Sequence, residues 1–529
     1  MASQQPGDAG EGTSGISRPI TKKVYRNVEE IMREICLDSE SELSSDDDDD
    51  AEVSDQLGDD VTENSDEGVT ENSDEDATDT VQRKKRKTEV QVGPKFTWSK
   101  DALHPEAFDF SGTSGINADL LSSLPYEPTP YDFLLFFICD EIIDILVREA
   151  NRYAEQFLSS TALTPESRLS RWRDVTPAEM KLFLGMTMLM GVVKKSNLEQ
   201  YWTNADLFAT PAFSSLMPRN RYCMILKFLH FSNNDNSLNK DDQNYDRLFK
   251  VREVYNLITG SFTNAYTPGR CVAIDEGMVR WFGRGFRTYL PSKRAKYGMK
   301  AYKLCEDNGY TYKFRLYTGK AADDEPNNLP DLVMILMSSL LDEGRVLYMD
   351  NYYNSPDLAK MLYERKTHSV GTLRMTCKGV PDELKKLKLK RGEVAFRTCD
   401  PITILVWHDK RDVKMITTLH DASVVDVPGK VNRMTGEQVR KPTAIIDYNK
   451  HTGSVDKSDQ MVLLNSSVRK TLKWSKKLFF LLMNLASTNA FVLFCLHVRK
   501  ISHLNFIKTV IEQMVRTSVE EEDLRRPAR

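Results

Sequence analysis

The spacing of hydrophobic and polar positions changes midway along the chain. Between residues 131 and 265, apolar residues recur at intervals of three and four, the rhythm of amphipathic helices. Thr176-Pro-Ala-Glu179 reads as a capping box with Pro at the first helical position, so a helix is expected to open there and carry Met180-Lys-Leu-Phe-Leu-Gly-Met-Thr-Met-Leu-Met190. Another is expected from near Pro218, with Tyr222, Ile225, Leu226 and Leu229 at helical spacing. The aromatics Trp172, Trp202, Phe228 and Phe231 read as core, not as a platform for stacking bases. From residue 270 the rhythm becomes that of strands. Cys271–Arg280, Tyr297–Cys305 and Tyr310–Tyr317 are expected strands, and Asp307-Asn-Gly309 carries a hairpin turn signal. Leu329–Leu341 reads as a helix, and Val346–Met349 is short enough for a buried parallel strand. Pro356–Lys366 reads as a helix and Ser369–Thr372 as a further strand.

Three hairpin-like strands, a helix, a parallel strand, a helix and another strand describe a mixed α/β sheet. That order is the one found in RNase H-like nuclease domains. Residues 376–441 interrupt it with β-like runs at Ile402–Trp407 and Val413–Leu419, which reads as a β-rich insertion. Thr443–Ile446 is expected to return to the sheet as an apolar strand before a last helix.

Two apolar stretches approach the length of a membrane span. Residues 133–148 are broken by Asp140, Glu141 and Asp144. Residues 478–498 are long enough, but Asn484, Ser487, Thr488 and Asn489 in their middle point to a buried core helix, and no membrane partner is expected. The N-terminus shows no charged-then-apolar leader, so secretion is not expected. The eight cysteines form no CxxC pair, which supports neither a zinc ribbon nor a disulfide framework and fits a reducing compartment.

The net charge of −5 conceals a division. Residues 38–80 hold 20 acids and no Lys or Arg, which leaves the other 486 residues at +15. A basic body of this kind points to a polyanionic partner, with solvated surface as the plain alternative. Residues 1–95 are poor in aromatics and read as a disordered acidic tail. Val61–Glu67 recurs in it as Val69–Glu75, and Ser45 precedes five aspartates in a setting suited to an acidophilic kinase. The tail is expected to be phosphorylated or to bind basic chromatin proteins. Arg83, Lys84, Lys85, Arg86 and Lys87 then form a cluster that reads as a nuclear localisation signal, so the nucleus is the expected location.

Four acids occupy positions where an α/β nuclease would carry its chemistry. Asp275 ends Cys-Val-Ala-Ile-Asp, and Asp350 ends Val-Leu-Tyr-Met-Asp. In the segment Asp447–Gln460, Asp456 and Asp459 are three residues apart and share a face if the segment is helical. Singly, Asp275, Asp350 and Asp447 have an ordinary reading as turn residues or caps, and Asp456 and Asp459 as acids favoured at a helix N-terminus. Taken together and in this order, they suit phosphodiester hydrolysis and strand transfer. Two Mg²⁺ ions about 4 Å apart activate the attacking oxygen and stabilise the leaving one. Mg²⁺ prefers hard carboxylate oxygens and water, so His and Cys are not required. Asp275 is expected to bridge, Asp350 and Asp456 to hold one ion each, and Asp459 to complete the site or position a ligand. Asp447 is expected at a turn or just behind the ligands.

The chain resembles the piggyBac family of transposases and their domesticated relatives. The match is carried by Leu229-His-Phe-Ser-Asn-Asn234, Val272-Ala-Ile-Asp-Glu-Gly-Met-Val279, Phe282-Gly-Arg284, Tyr289-Leu-Pro-Ser-Lys293 and Tyr297-Gly-Met-Lys300. It continues through Met349-Asp-Asn-Tyr-Tyr-Asn354, Gly371-Thr-Leu-Arg374 and Asp447–Gln460, and spans about Trp98 to about Ile511. The resemblance implies a DDE/D transposase with an RNase H-like catalytic core and a split all-α dimerisation and DNA-binding domain. It places the family's catalytic aspartates on Asp275, Asp350, Asp456 and Asp459. It implies a homodimer that acts on double-stranded DNA by nicking transposon ends, forming hairpins and integrating at TTAA. Arg374 and Lys378 fall where the family contacts DNA near its active site, and Lys293, Lys300, Lys473 and Lys476 are further phosphate-contact candidates.

The domains expected on this basis are a tail at 1–95, a linker at 96–130 and a first helical part at 131–269. A first catalytic part follows at 270–375, then the insertion at 376–441, a second catalytic part at 442–464 and a second helical part at 465–529. Two departures from the family pattern stand out. Lys293-Arg294 replaces its Lys-Pro. Cys495, His497 and His503 are too few for the Cys/His-rich zinc module of many members, so no zinc is expected. The alternative expectation is a domesticated nuclear DNA-binding or chromatin protein that keeps the fold without productive transposition.

Overall fold

The computed structural model describes residues 96–525 apart from 162–166, 240, 241, 243, 282–285, 290–296, 320–325, 327, 432–435, 437 and 468–472. The acidic tail with Ser45 and its tandem repeat, the cluster Arg83–Lys87, and Lys293 lie outside the described residues.

The first half is helical: α1 (Pro130–Phe137), α2 (Asp140–Ser160), α3 (Pro177–Val192), α4 (Arg219–Phe228) and α5 (Arg252–Ala265). Caps start these helices as their sequences require. Asp132 Oδ2 accepts from the Thr129 backbone N–H at 2.7 Å ahead of α1, and Thr176 Oγ1 accepts from the Glu179 N–H at 3.2 Å ahead of α3. Phe228 and Phe231 are buried, with Trp172 and Trp202 half-buried against the same core.

The strands then follow: β1 (Cys271–Arg280), β2 (Arg287–Tyr289), β3 (Tyr297–Glu306) and β4 (Thr311–Leu316). Helix α6 (Leu329–Met337), β5 (Val346–Met349), α7 (Pro356–Glu364) and β6 (His368–Thr372) come next. The β3–β4 hairpin turns through Gly309, whose φ of +89° and packing against the Met461 side chain leave no room for a Cβ. Strands β1, β5 and β6 are parallel, and β3 and β4 continue the sheet antiparallel beside β1. The spatial order is β4–β3–β1–β5–β6, with β2 sharing the outer edge of β3.

Within 376–441, β7 (Val394–Cys399), β8 (Ile402–His408) and β9 (Asp412–Thr417) extend the same sheet, with β9 antiparallel to β6. A separate hairpin, β10 (Val424–Val431) with β11 (Gln438–Pro442), stands off it.

One expected strand is a helix. Thr443–Ile446 opens α8 (Thr443–His451), which is followed by α9 (Ser454–Leu464), α10 (Trp474–His497) and α11 (His503–Arg525). Four apolar residues have no period of their own. Here Pro442 precedes the turn, and Ala444, Ile445 and Tyr448 pack together on the sheet, which only helical spacing allows. Helix α10 is apolar enough to cross a membrane by length and composition, but most of it is buried inside the fold. Its Asn489 donates to the Thr311 carbonyl at 2.9 Å and accepts from the Thr311 N–H at 2.9 Å. Helix α11 lies close on α3, where a Cβ on Gly185 would meet Val515 at 3.3 Å.

Candidate active site

Alternation along β1 and β5 decides which side chains meet. Val272, Ile274, Leu347 and Met349 enter the large core on one face of the sheet, while Ala273, Val346 and Tyr348 enter a smaller core under α8 on the other. Asp275 follows Ala273 by two and Asp350 follows Tyr348 by two, so both acids belong to the α8 face. Ala273 pairs with Tyr348 and Ile274 with Met349 in parallel register. The next positions are therefore Asp275, midway along β1 where its parallel pairing with β5 runs out, and Asp350, just past the carboxyl end of β5, on neighbouring strands about 4.8 Å apart. Both are half-buried. Asp275 Oδ1 accepts from the Glu276 N–H at 2.7 Å, and Asp350 Oδ1 accepts from the Tyr352 N–H at 2.8 Å. Asn354 clamps the turn by donating to the carbonyls of Met349, Asp350 and Thr372 at 2.9, 3.1 and 3.0 Å. Burial raises the pKa of Tyr448 on α8, and the Asp350 and Asp275 carboxylates add to the rise, which places this phenol beside the acid pair.

The second pair comes from α9. Val455, Ser458 and Val462 form its buried stripe, which seats the helix on β1 and β3. Asp459 is half-buried beside that stripe, and Asp456 is exposed in the first turn, where the helix dipole favours an acid. Lys303 Nζ donates to Asp459 Oδ1 at 2.5 Å and to Ser458 Oγ at 3.3 Å. Lys303 is 3% exposed and sits directly across from Asp275 in the β1–β3 register. A Cβ on Gly277 would stand 3.6 Å from Asp459 Oδ1. Asp459 thus rests on β1 two residues beyond Asp275, on the same face. The structure brings Asp275 beside Asp350 and Asp459 close to β1, while Asp456 is exposed one turn earlier on α9. Among the described residues no three His, Cys, Asp or Glu side chains converge closely enough to hold a metal ion.

The basic candidates separate by burial. Arg374 is exposed just past β6, with Nε donating to Asn351 Oδ1 at 2.9 Å and its guanidinium 5.6 Å from the Tyr352 ring centre. Lys378 is exposed nearby, and Lys473 is exposed with its ammonium 5.2 Å from the Tyr153 ring centre. Lys300 and Lys476 are inside the fold. Lys300 is 5% exposed, paired with buried Glu276 at 3.1 Å, and belongs to the face of the sheet opposite Asp275. Lys476, also 5% exposed, donates to the carbonyls of Leu226 and Lys227 at the end of α4, the latter at 3.0 Å. Neither amine reaches a surface where a phosphate would lie.

Two features escape a reading of the sequence by motif. Lys303 is one; its strand also carries Lys300, so no local pattern singles it out. The other is a polar cluster behind the acids. Asp447 Oδ2 accepts from the Tyr348 hydroxyl at 2.8 Å, with His420 Nε2 at 3.3 Å and His451 Nε2 at 3.6 Å from its carboxylate. His451 Nδ1 is paired in turn with Asp307, and Ser454 Oγ donates to Asp307 Oδ1 at 2.9 Å. Asp447 lies within α8, where it ties that helix to β5.

Comparison with known proteins gives the arrangement a family. A family model described as Transposase IS4 matches residues 129–491, more than half of the chain. Human PiggyBac transposable element-derived protein 2 is 24% identical over 78% of this chain and 69% of its own length. Human PiggyBac transposable element-derived protein 3 is 24% identical over 66% of this chain and 59% of its own length. Among solved structures, a piggyBac transposase in a synaptic complex with hairpin DNA shares the fold at a TM-score of 0.66. That alignment is 24% identical and covers 79% of this chain and 85% of the transposase chain. The chain therefore belongs to the transposase family that this model describes, within its piggyBac group.

Proposed function

We propose that this protein is a piggyBac-like, transposase-derived DNA strand cleavage and transfer enzyme whose centre is built on an RNase H-like core. The observation that carries the proposal is the register that sets Asp275 beside Asp350 at the carboxyl end of β5, where the parallel pairing of β1 with β5 runs out, in a sheet ordered β4–β3–β1–β5–β6. Open α/β sheets bind ligands at this end of their strands. The donor set fits Mg²⁺, since the two neighbouring carboxylates offer the hard oxygens that ion prefers. Asp275, Asp350 and the helix-borne Asp456 would hold it, with Asp459 completing the site or positioning a ligand. When bound, two such ions would activate the attacking oxygen and stabilise the leaving one. Asn354 and the Asp350 turn fix one carboxylate, and β1 fixes the other. Exposed Arg374, Lys378 and Lys473 are the phosphate contacts of this proposal. Nicking, hairpin formation and transfer at TTAA ends, action as a homodimer, and nuclear import through Arg83–Lys87 belong to the same reading.

A second reading is favoured by one observation. No three acids converge among the described residues, and Asp459 is already engaged by Lys303. It describes a domesticated nuclear DNA-binding or chromatin protein that keeps the fold without productive transposition. Incubation of the purified protein with Mg²⁺ and duplexes carrying TTAA-flanked inverted repeats separates the two. Nicked and hairpin products that vanish in Asp275→Asn and Asp350→Asn support the enzyme. Duplex binding with no metal-dependent product, or equal product from wild type and both variants, refutes it.

A further inference from the structure

We propose that Lys303 is a positioning residue that holds Asp459 as its counter-ion, so that this carboxylate braces helix α9 instead of ligating a divalent cation. The inference rests on the metal-centre reading above and assigns Asp459 its task within it. Among the described residues, the acid that the Lys303 amine is seen to meet is Asp459. Its amine meets Asp459 Oδ1 at 2.5 Å and Ser458 Oγ at 3.3 Å, and almost none of its side chain reaches solvent. A buried ammonium without a carboxylate is strongly disfavoured, so the pair is mutually required. Space for it is provided by Gly277, where a Cβ would stand 3.3 Å from both Cδ and Cε of Lys303. The same contact anchors the helix to a buried polar chain. Ser458 Oγ meets Thr311 Oγ1 at 2.8 Å, and Thr311 is held by Asn489 of α10 through its backbone N–H and carbonyl. Lys303 lies across from Asp275 in register, and its ammonium offsets the charge of Asp459. The cation site is then left to Asp275, Asp350 and Asp456.

Mn²⁺ binding to the full chain without DNA, counted from the electron paramagnetic resonance of the free ion, tests this without any turnover. Lys303→Met releases Asp459 and removes a cation, so Mn²⁺ is expected to bind about tenfold tighter than in the wild type. The double variant Lys303→Met/Asp459→Asn removes a neutral pair and is expected to return to within about twofold of the wild type. Lys303→Arg keeps the charge and is expected to match the wild type. The inference is overturned if folded Lys303→Met binds no tighter. It is equally overturned if the double variant binds about tenfold weaker than the wild type, because Asp459 would then be a ligand itself. Should Lys303→Met not fold, the double variant still decides, since replacing both members of a buried pair is tolerated where removing one is not. If Asp275→Asn leaves Mn²⁺ binding unchanged, the metal-centre reading fails first and takes this inference with it.

Discussion

Lys476 lends itself to a quantitative test, because a surface role and a buried one predict opposite behaviour. Its amine caps the carbonyl end of α4, and burial, reinforced by the nearby Lys473 charge, lowers its pKa from 10.5 to about 7. Between these values the unfolded chain holds a proton that the folded chain has released. Stability therefore rises with pH across this window, by at most about 1.4 kcal/mol per pH unit for one group. Between pH 7 and 9 the linkage relation gives a gain of about 2 kcal/mol. The helix-end carbonyls favour the charged amine and work against the shift, so this figure is an upper bound. Urea unfolding of the wild type and of Lys476→Met at the two pH values measures it. The variant is expected to lack this increment, whatever its absolute stability. Duplex binding by the same variant is expected to keep the wild-type dependence on salt. A lysine on a DNA phosphate would instead take about 0.9 from the slope of log K against log salt. A reduced slope together with an unchanged pH profile would refute the buried assignment.

Glu179→Ala leaves Arg221, 6% exposed, without its carboxylate and is expected to cost about 3–5 kcal/mol in urea unfolding, whereas Arg173→Ala, at the exposed side of the same acid, costs under about 1 kcal/mol. Gly371→Ala pushes a Cβ onto the Met349 carbonyl and Asn354 Nδ2, directly behind Asp350. It is expected to destabilise by about 1–3 kcal/mol and to abolish metal-dependent nicking, and nicking at the wild-type rate by a folded variant would contradict the placement of Asp350. Arg374→Ala is expected to lower the salt slope of duplex binding by about 0.9 with no loss of thermal stability, as befits an exposed phosphate contact; an unchanged slope would remove it from the interface.

Much of the architecture is legible in local pattern. Strands β1, β3, β4, β5 and β6, the Asp307–Gly309 turn and the long helices are marked by residue spacing and turn chemistry that act within a few residues of one another. The strand expected at Thr443–Ile446 was misplaced because four apolar residues satisfy a strand and a helical turn equally well. The lysines show the same limit more sharply. Lys300, Lys303, Lys473 and Lys476 are alike in sequence, yet one is exposed and three are buried with different partners. Nothing local separates them, because burial of a long side chain is decided by what lies across the sheet or beneath the helix.

The amino-acid order by itself determined that Asp350 ends a strand, that Asp275 follows an apolar strand run, that Asp456 and Asp459 share a helix, and that the body is basic behind an acidic N-terminal stretch; β1 in fact continues past Asp275 to Arg280. Those are properties of periodicity and composition, which need no fold to exist. Only the tertiary structure decided that β1 and β5 run parallel in a register that sets Asp275 beside Asp350, that Lys303 stands across from Asp275, and that Asp459 is the acid it holds. Register, strand order and burial arise from the packing of segments far apart in the chain, 156 residues in the case of Lys303 and Asp459, and such pairings are specified by the whole core at once, not by any stretch of the chain.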